Sequence, residues 1–130
     1  MTEYPVGATY TTGRIVHALD DGREAGVTEL AEELDLSKAS VHNHLVTLKR
    51  LGVVVSTDGR YRLGLRFLDL GMNVREGMPL YRVARSELTG LAESTGESTA
   101  LVVAERGQAV YAAVEDADRN DRRVRLGSRL

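Results

Sequence analysis

Apolar positions in the first half of the chain recur at helical spacing, with breaks where a helix must stop. Within 11–21, Ile15, Val16 and Leu19 share one side of a helix that Gly22 ends. Thr28 reads as the N-cap of a short helix, TELAEEL, with Leu30, Ala31 and Leu34 on one face. Acids crowd the start of that helix, where the positive end of its dipole favours them. Asp35-Leu36-Ser37 reads as a tight turn, and Ser37 caps a third helix over 38–51. There Val41, Leu45 and Leu48 recur at i, i+4 and i+7 as a buried stripe, and Gly52 closes the helix.

The period then changes. Val53–Thr57 and Arg60–Leu63 are strand-like runs around Asp58-Gly59, a dipeptide suited to a hairpin turn that needs positive φ at both central residues. Counting outward from the turn pairs Ser56 with Tyr61 and Val54 with Leu63 on the core face. Arg60 and Arg62 then share the other face with Val55 and Thr57. Residues 65–76 predict another helix, with Leu65, Leu68 and Met72 on one side and Phe67, Leu70 and Val74 nearby, more apolar than a solvated connector needs. Pro79 stands in the first turn of a further helix striped by Leu80, Val83, Ala84, Leu88 and Leu91 and ended by Gly96. Strands follow over 99–104 and 109–114, with a third over 122–126.

Three helices followed by a two-stranded wing make a winged helix-turn-helix. The predicted fold class is therefore α+β: that unit, one more helix, then a helix with antiparallel strands, within 130 residues. The composition, 42% apolar and 28% charged, fits a globular protein rather than a disordered one. With no cysteine, zinc ribbons, disulfides and thiol catalysis are excluded. No apolar run reaches the roughly 20 residues of a membrane helix, and the first ten residues lack a signal-peptide pattern, so the expected location is the cytoplasm.

The net charge of −2 argues at first against a nucleic-acid partner, but it averages two opposite segments. Residues 17–36 hold seven acids against Arg23 alone, whereas residues 37–66 hold six bases against Asp58 alone. A polyanion responds to the local field rather than to the total. The second helix of such a bihelical unit lies in the major groove of DNA. On a helical wheel, Ala39, Asn43, Val46, Thr47 and Arg50 point away from the stripe, flanked by Lys38, Ser40 and His42.

Asn43 is the leading base-reading residue, because its amide can pair bidentately with an adenine edge. Ser40 and Thr47 can reach bases or phosphates, and Ala39 a thymine methyl. Lys38 and Arg50, with Arg60 and Arg62 on the wing, suit phosphates, which give affinity and salt dependence more than sequence preference. The DNA-contact set is thus Lys38, Ala39, Ser40, His42, Asn43, Thr47, Arg50, Arg60 and Arg62.

A charged outer helix face is usually only solvated; the full order of helices, capped turn and Asp-Gly wing is what points to double-stranded DNA. The competing reading is a winged helix that binds only protein, which the overall acidity favours. His42 and His44 lie about 200° apart around their helix and cannot share a metal. No nucleophile has a recognisable base partner and no glycine loop cradles a phosphate, so neither an enzyme nor a cofactor is expected.

The segments GVTELAEELDLSKASVHNHLVTLKRLGVV (26–54) and GRYRLGLRFLDLG (59–71) resemble the IclR family of bacterial and archaeal regulators. The wing that ends in Tyr-Arg-Leu-Gly and runs straight into an apolar helix is the more family-specific of the two. The resemblance implies a sequence-specific transcription regulator. Its domains would be a DNA-binding domain over 1–64, a linker and dimerisation helix over 65–78, and the N-terminal part of an effector domain over 79–130. It also implies a homodimer, paired into a tetramer in some members, and a small-molecule effector whose pocket is mostly built from segments beyond Leu130. Many members carry Arg at the position of Asn43, so their base preferences do not carry over.

Overall fold

The computed structural model describes residues 3–116 and 125–129, and these divide into two compact units that meet in sequence at Leu70 and Gly71. The first unit begins with α1 (Gly7–Ala18), β1 (Ala25–Gly26), α2 (Val27–Leu34) and α3 (Lys38–Arg50). Then come β2 (Val54–Thr57), β3 (Arg60–Leu63) and the start of α4 (Arg66–Glu76). The rest of α4 belongs to the second unit, with α5 (Pro79–Thr95), β4 (Thr99–Glu105) and β5 (Gln108–Glu115).

The core of the first unit is made mostly by residues that the predicted helices and hairpin select, with Ala25 of β1 added. Ile15, Leu19, Leu30, Val41, Leu45 and Val54 are fully buried, with Ala25, Ala31 and Leu48 packed among them. The hairpin has the predicted register, Val54 opposite Leu63 and Ser56 opposite Tyr61. Its turn takes φ of +52° at Asp58 and +75° at Gly59, as the dipeptide requires.

The structure departs from the sequence reading at the edges of elements. The first helix starts at Gly7, four residues before the apolar spacing begins, because its opening turns are exposed and carry no burial signal. Helix α2 starts at Val27 with Gly26, not Thr28, as its N-cap. The reason is local: the Glu29 carboxylate reaches back to the Gly26 backbone N–H at 3.2 Å, the half of a capping box that a glycine permits. Strand β2 starts one residue late and α3 ends at Arg50, with Leu51 as its C-cap. Strand β1 was not predicted; it pairs with β3, Ala25 opposite Tyr61 and Gly26 opposite Arg60, giving the sheet order β1-β3-β2.

In the second unit, Pro79 opens α5 and Gly96 closes it at φ +71°, as predicted. The buried stripe, however, is rotated part of a turn and shares only Ala84 and Leu88 with the predicted one. Tyr81 and Ala92 are buried, with Ala84 and Leu88 half-buried, whereas Leu80, Val83 and Leu91 are exposed. Both sets have helical spacing, and only the neighbouring strands decide between them. Strands β4 and β5 form the expected hairpin around Arg106-Gly107, with an irregularity in register between Leu101 and Val102. Of the strand expected over 122–126, residues 122–124 lie outside the described residues. Residues Leu126 and Gly127 form a turn, and Arg129 bridges Val110.

Candidate nucleic-acid interface

The angle between α2 and α3 is set within a few residues. Asp35 adopts the left-handed conformation at φ +54°, which lets the Leu36 N–H donate to the Ala31 carbonyl at 2.9 Å. The Ser37 hydroxyl then accepts from the Ser40 N–H at 3.0 Å, satisfying one of the free donors at the start of α3. From the other side, Arg14 on α1 donates to the Leu34 carbonyl at 2.6 Å, which ties the first helix to the end of α2. Val41, Leu45 and Leu48 hold the inner face of α3 in the core, so its opposite face is fixed outward.

That outward face carries the residues the wheel selects. Lys38, Ala39, His42, Asn43, Thr47 and Arg50 are exposed, as is Lys49, while Ser40 and Val46 are half-buried. The Thr47 hydroxyl donates to the Asn43 carbonyl at 2.8 Å and so keeps only its acceptor role outward. His44 donates from Nδ1 to the Ser40 carbonyl at 2.7 Å, in keeping with a packing residue. The side chains of Asn43, Lys38 and Arg50 make no hydrogen bond or ion pair among the described residues.

The two wing arginines differ. Arg62 is exposed, and among the described residues its guanidinium makes only a 3.2 Å bond to the adjacent Leu63 carbonyl. Arg60, paired across the sheet with Gly26, is drawn onto the start of α2. Its Nη2 donates to the Glu24 carbonyl at 2.8 Å, and its Nη1 lies 3.4 Å from Glu29 Oε1. Glu29 also faces Arg23 at 3.5 Å, and Arg23 makes two hydrogen bonds to Glu33, at 2.7 and 3.0 Å. The Gly26 N–H, then the charges of Arg60 and Arg23, hold the Glu29 carboxyl below the ordinary carboxylate range. The hydrogen bond from Arg23 does the same to Glu33.

Sequence reasoning recognised the acids of α2 only as dipole partners and gave Arg23 no role. The missing signal was β1: a two-residue strand has no periodicity, yet its pairing is what brings Arg60 to Glu29. Among the described residues, no group of three or more His, Asp or Glu is placed to hold a metal ion, and no helix is long and apolar enough to cross a membrane.

Comparison with known proteins places this geometry in context. Residues 12–58 match the model of the IclR helix-turn-helix domain. The chain is 35% identical over 97 residues to the probable HTH-type transcriptional regulator ArcR of Halobacterium salinarum, covering 74% of this chain and 37% of that protein. It is 32% identical over 118 residues to the HTH-type transcriptional regulator KdgR of Escherichia coli, covering 89% and 44%. Among solved structures, an IclR transcriptional regulator from Alicyclobacillus acidocaldarius superposes with a TM-score of 0.74 at 26% identity, over 98% of this chain and 54% of that one. The chain thus spans less than half the length of these two curated relatives.

Proposed function

We propose that this chain, which belongs to the IclR family of transcription regulators, binds double-stranded DNA with α3 in the major groove and the β2–β3 wing on the backbone. The observation that carries the reading is the outward face of α3, where the Asn43 amide, Lys38 and Arg50 stand exposed and unengaged among the described residues. Asn43 reads a base edge, with Ala39, Ser40, His42 and Thr47 beside it. Lys38, Arg50 and Arg62 neutralise phosphates, and Arg60 is a fourth cation at the wing. Residues 1–64 are the DNA-binding domain, 65–78 the linker helix, and 79–130 the first part of a domain that receives a small-molecule effector.

Retention of a mixed-sequence duplex, titrated between 50 and 200 mM salt, tests this directly. Three phosphate contacts give a slope of log K on log salt near −3 per monomer, at about 0.9 per phosphate. Retention independent of salt at every sequence would point to a protein-only module instead.

The reading includes a homodimer joined through α4. This helix buries no residue, and its Leu68, Leu70, Met72 and Val74 are all exposed, as is Leu65 just before it. So many large apolar side chains on one short helix mark a contact surface. Light scattering at high micromolar concentration is expected to give twice the mass of one chain. The double substitution Leu68→Glu, Met72→Glu, which charges one face of the helix, is expected to halve that value. A wild-type monomer would remove the assignment.

A further inference from the structure

The pairing of Arg60 with Glu29 bears on how strongly the wing grips DNA, and the inference here rests on the reading that the wing meets the phosphate backbone. Strand β1 sets Gly26 opposite Arg60, and Glu29 is bonded back to the Gly26 N–H at 3.2 Å. The carboxylate is therefore fixed at the edge of the sheet from which the Arg60 side chain projects. It lies 3.4 Å from Arg60 Nη1, while the Glu24 carbonyl takes Nη2 at 2.8 Å. Both ends of the guanidinium are occupied by oxygens, one of them anionic, as a DNA phosphate would occupy them. Arg62, two residues along the same strand, meets no carboxylate among the described residues.

We propose that Glu29 is a built-in competitor for Arg60, its carboxylate occupying the place of a phosphate oxygen so that this wing arginine contributes little to DNA binding until it is released. The contact is half exposed on both sides, so it is an exchangeable partner rather than a permanent one. Glu29 is held independently by Arg23 at 3.5 Å and by the helix start, so the carboxylate stays in place when Arg60 leaves. Its lowered pKa agrees with this surrounding of donors and cations. The wing then carries one committed cation, Arg62, and one reserved cation, Arg60.

Glu29→Gln isolates the charge, because a glutamine amide oxygen still accepts from the Gly26 N–H and keeps the helix start. The full chain and its Glu29→Gln, Arg60→Ala and double variants are titrated with a mixed-sequence duplex across 50–200 mM salt. Release of Arg60 steepens the slope of Glu29→Gln by about 0.9, which is about 3.5-fold more affinity lost across that range. Arg60→Ala alone is expected to cost less than about twofold, but several-fold in the Glu29→Gln background. Removing an acid near DNA also helps through long-range attraction, but that gain is equal in both Arg60 backgrounds. A Glu29→Gln gain that is the same with and without Arg60 overturns the proposal, as does a full one-phosphate loss in Arg60→Ala alone.

NMR of the arginine guanidinium groups reads the contact without DNA. Restricted rotation of the Arg60 Nη1 group, the one that faces Glu29, is expected in the wild type and lost in Glu29→Gln, while Nη2 keeps its Glu24 carbonyl; an Nη1 signal identical in the two overturns the contact. A duplex retained by no variant removes the DNA reading and the competition with it, while the NMR comparison still reports whether the carboxylate holds the arginine.

Discussion

Leu45→Ala is expected to cost the first unit about 3 kcal/mol, the largest stability loss we anticipate for a single substitution on α3. Leu45 is fully buried and sits midway along the inner face of the helix, between Val41 and Leu48. It belongs to one cluster with Ile15 and Leu19 of the first helical segment, Leu30 of α2 and Val54 of β2. Truncation loses the transfer energy of the removed carbons, and a cavity remains that these three neighbouring elements would have to move to fill. A domain of about 70 residues has a total stability of only about 4–10 kcal/mol, so this single change removes a third or more of it. Leu51 ends the same helix at 69% exposure, and Leu51→Ala is expected to change stability by less than about 0.5 kcal/mol. Urea denaturation followed by circular dichroism, with the transition of the first unit fitted separately, compares the two. A Leu45→Ala loss below about 1 kcal/mol would show that α3 is not anchored by its inner stripe.

What the sequence revealed of this interface follows from how local each cause is. Ser37 caps α3 through a bond to Ser40, and Asp58-Gly59 turns the wing by its own backbone preference, so both were readable from neighbouring residues. The stripe Val41, Leu45 and Leu48 was readable because one helix face has one core to meet. Helix α5 has two overlapping apolar faces: of the selected Leu80, Val83, Ala84, Leu88 and Leu91, only Ala84 and Leu88 turn inward, beside the buried Tyr81 and Ala92. Nothing within the helix distinguishes them, because burial is decided by β4 and β5. Arg60 shows the same limit at the level of chemistry. Its alternation with Arg62 correctly placed both on one face of the hairpin. Its partners, Glu24 and Glu29, lie more than 30 residues earlier in the chain and reach it through a strand of two residues. Exposed cations of one strand are equivalent in a pattern and unequal in a fold.

Asn43→Ala combined with Arg62→Ala is expected to reduce binding of a selected DNA site to the level of unselected DNA, with the fold intact. The two residues act on different terms. An amide paired bidentately with an adenine edge contributes about 1–3 kcal/mol of discrimination, so Asn43→Ala lowers affinity for the selected duplex by about 5- to 150-fold and leaves a mixed-sequence duplex nearly unaffected. Arg62 meets a phosphate, so Arg62→Ala weakens both duplexes alike and flattens the salt slope by about 0.9. The fold is spared because Asn43 and Arg62 are both exposed, and the Asn43 bond with Thr47 is made by its backbone carbonyl, which alanine retains. Selecting duplexes from a random pool with the wild-type chain supplies the site, and the spacing of its half-sites reports the separation of two α3 helices in a dimer. Thermal unfolding followed by circular dichroism confirms that the variants fold. The decisive measurement is the ratio of affinities for selected and mixed duplexes. Asn43→Ala collapses that ratio, whereas Arg62→Ala preserves it. A ratio unchanged by Asn43→Ala would move base recognition to another residue of the outward face, with Ser40 and Thr47 next in line.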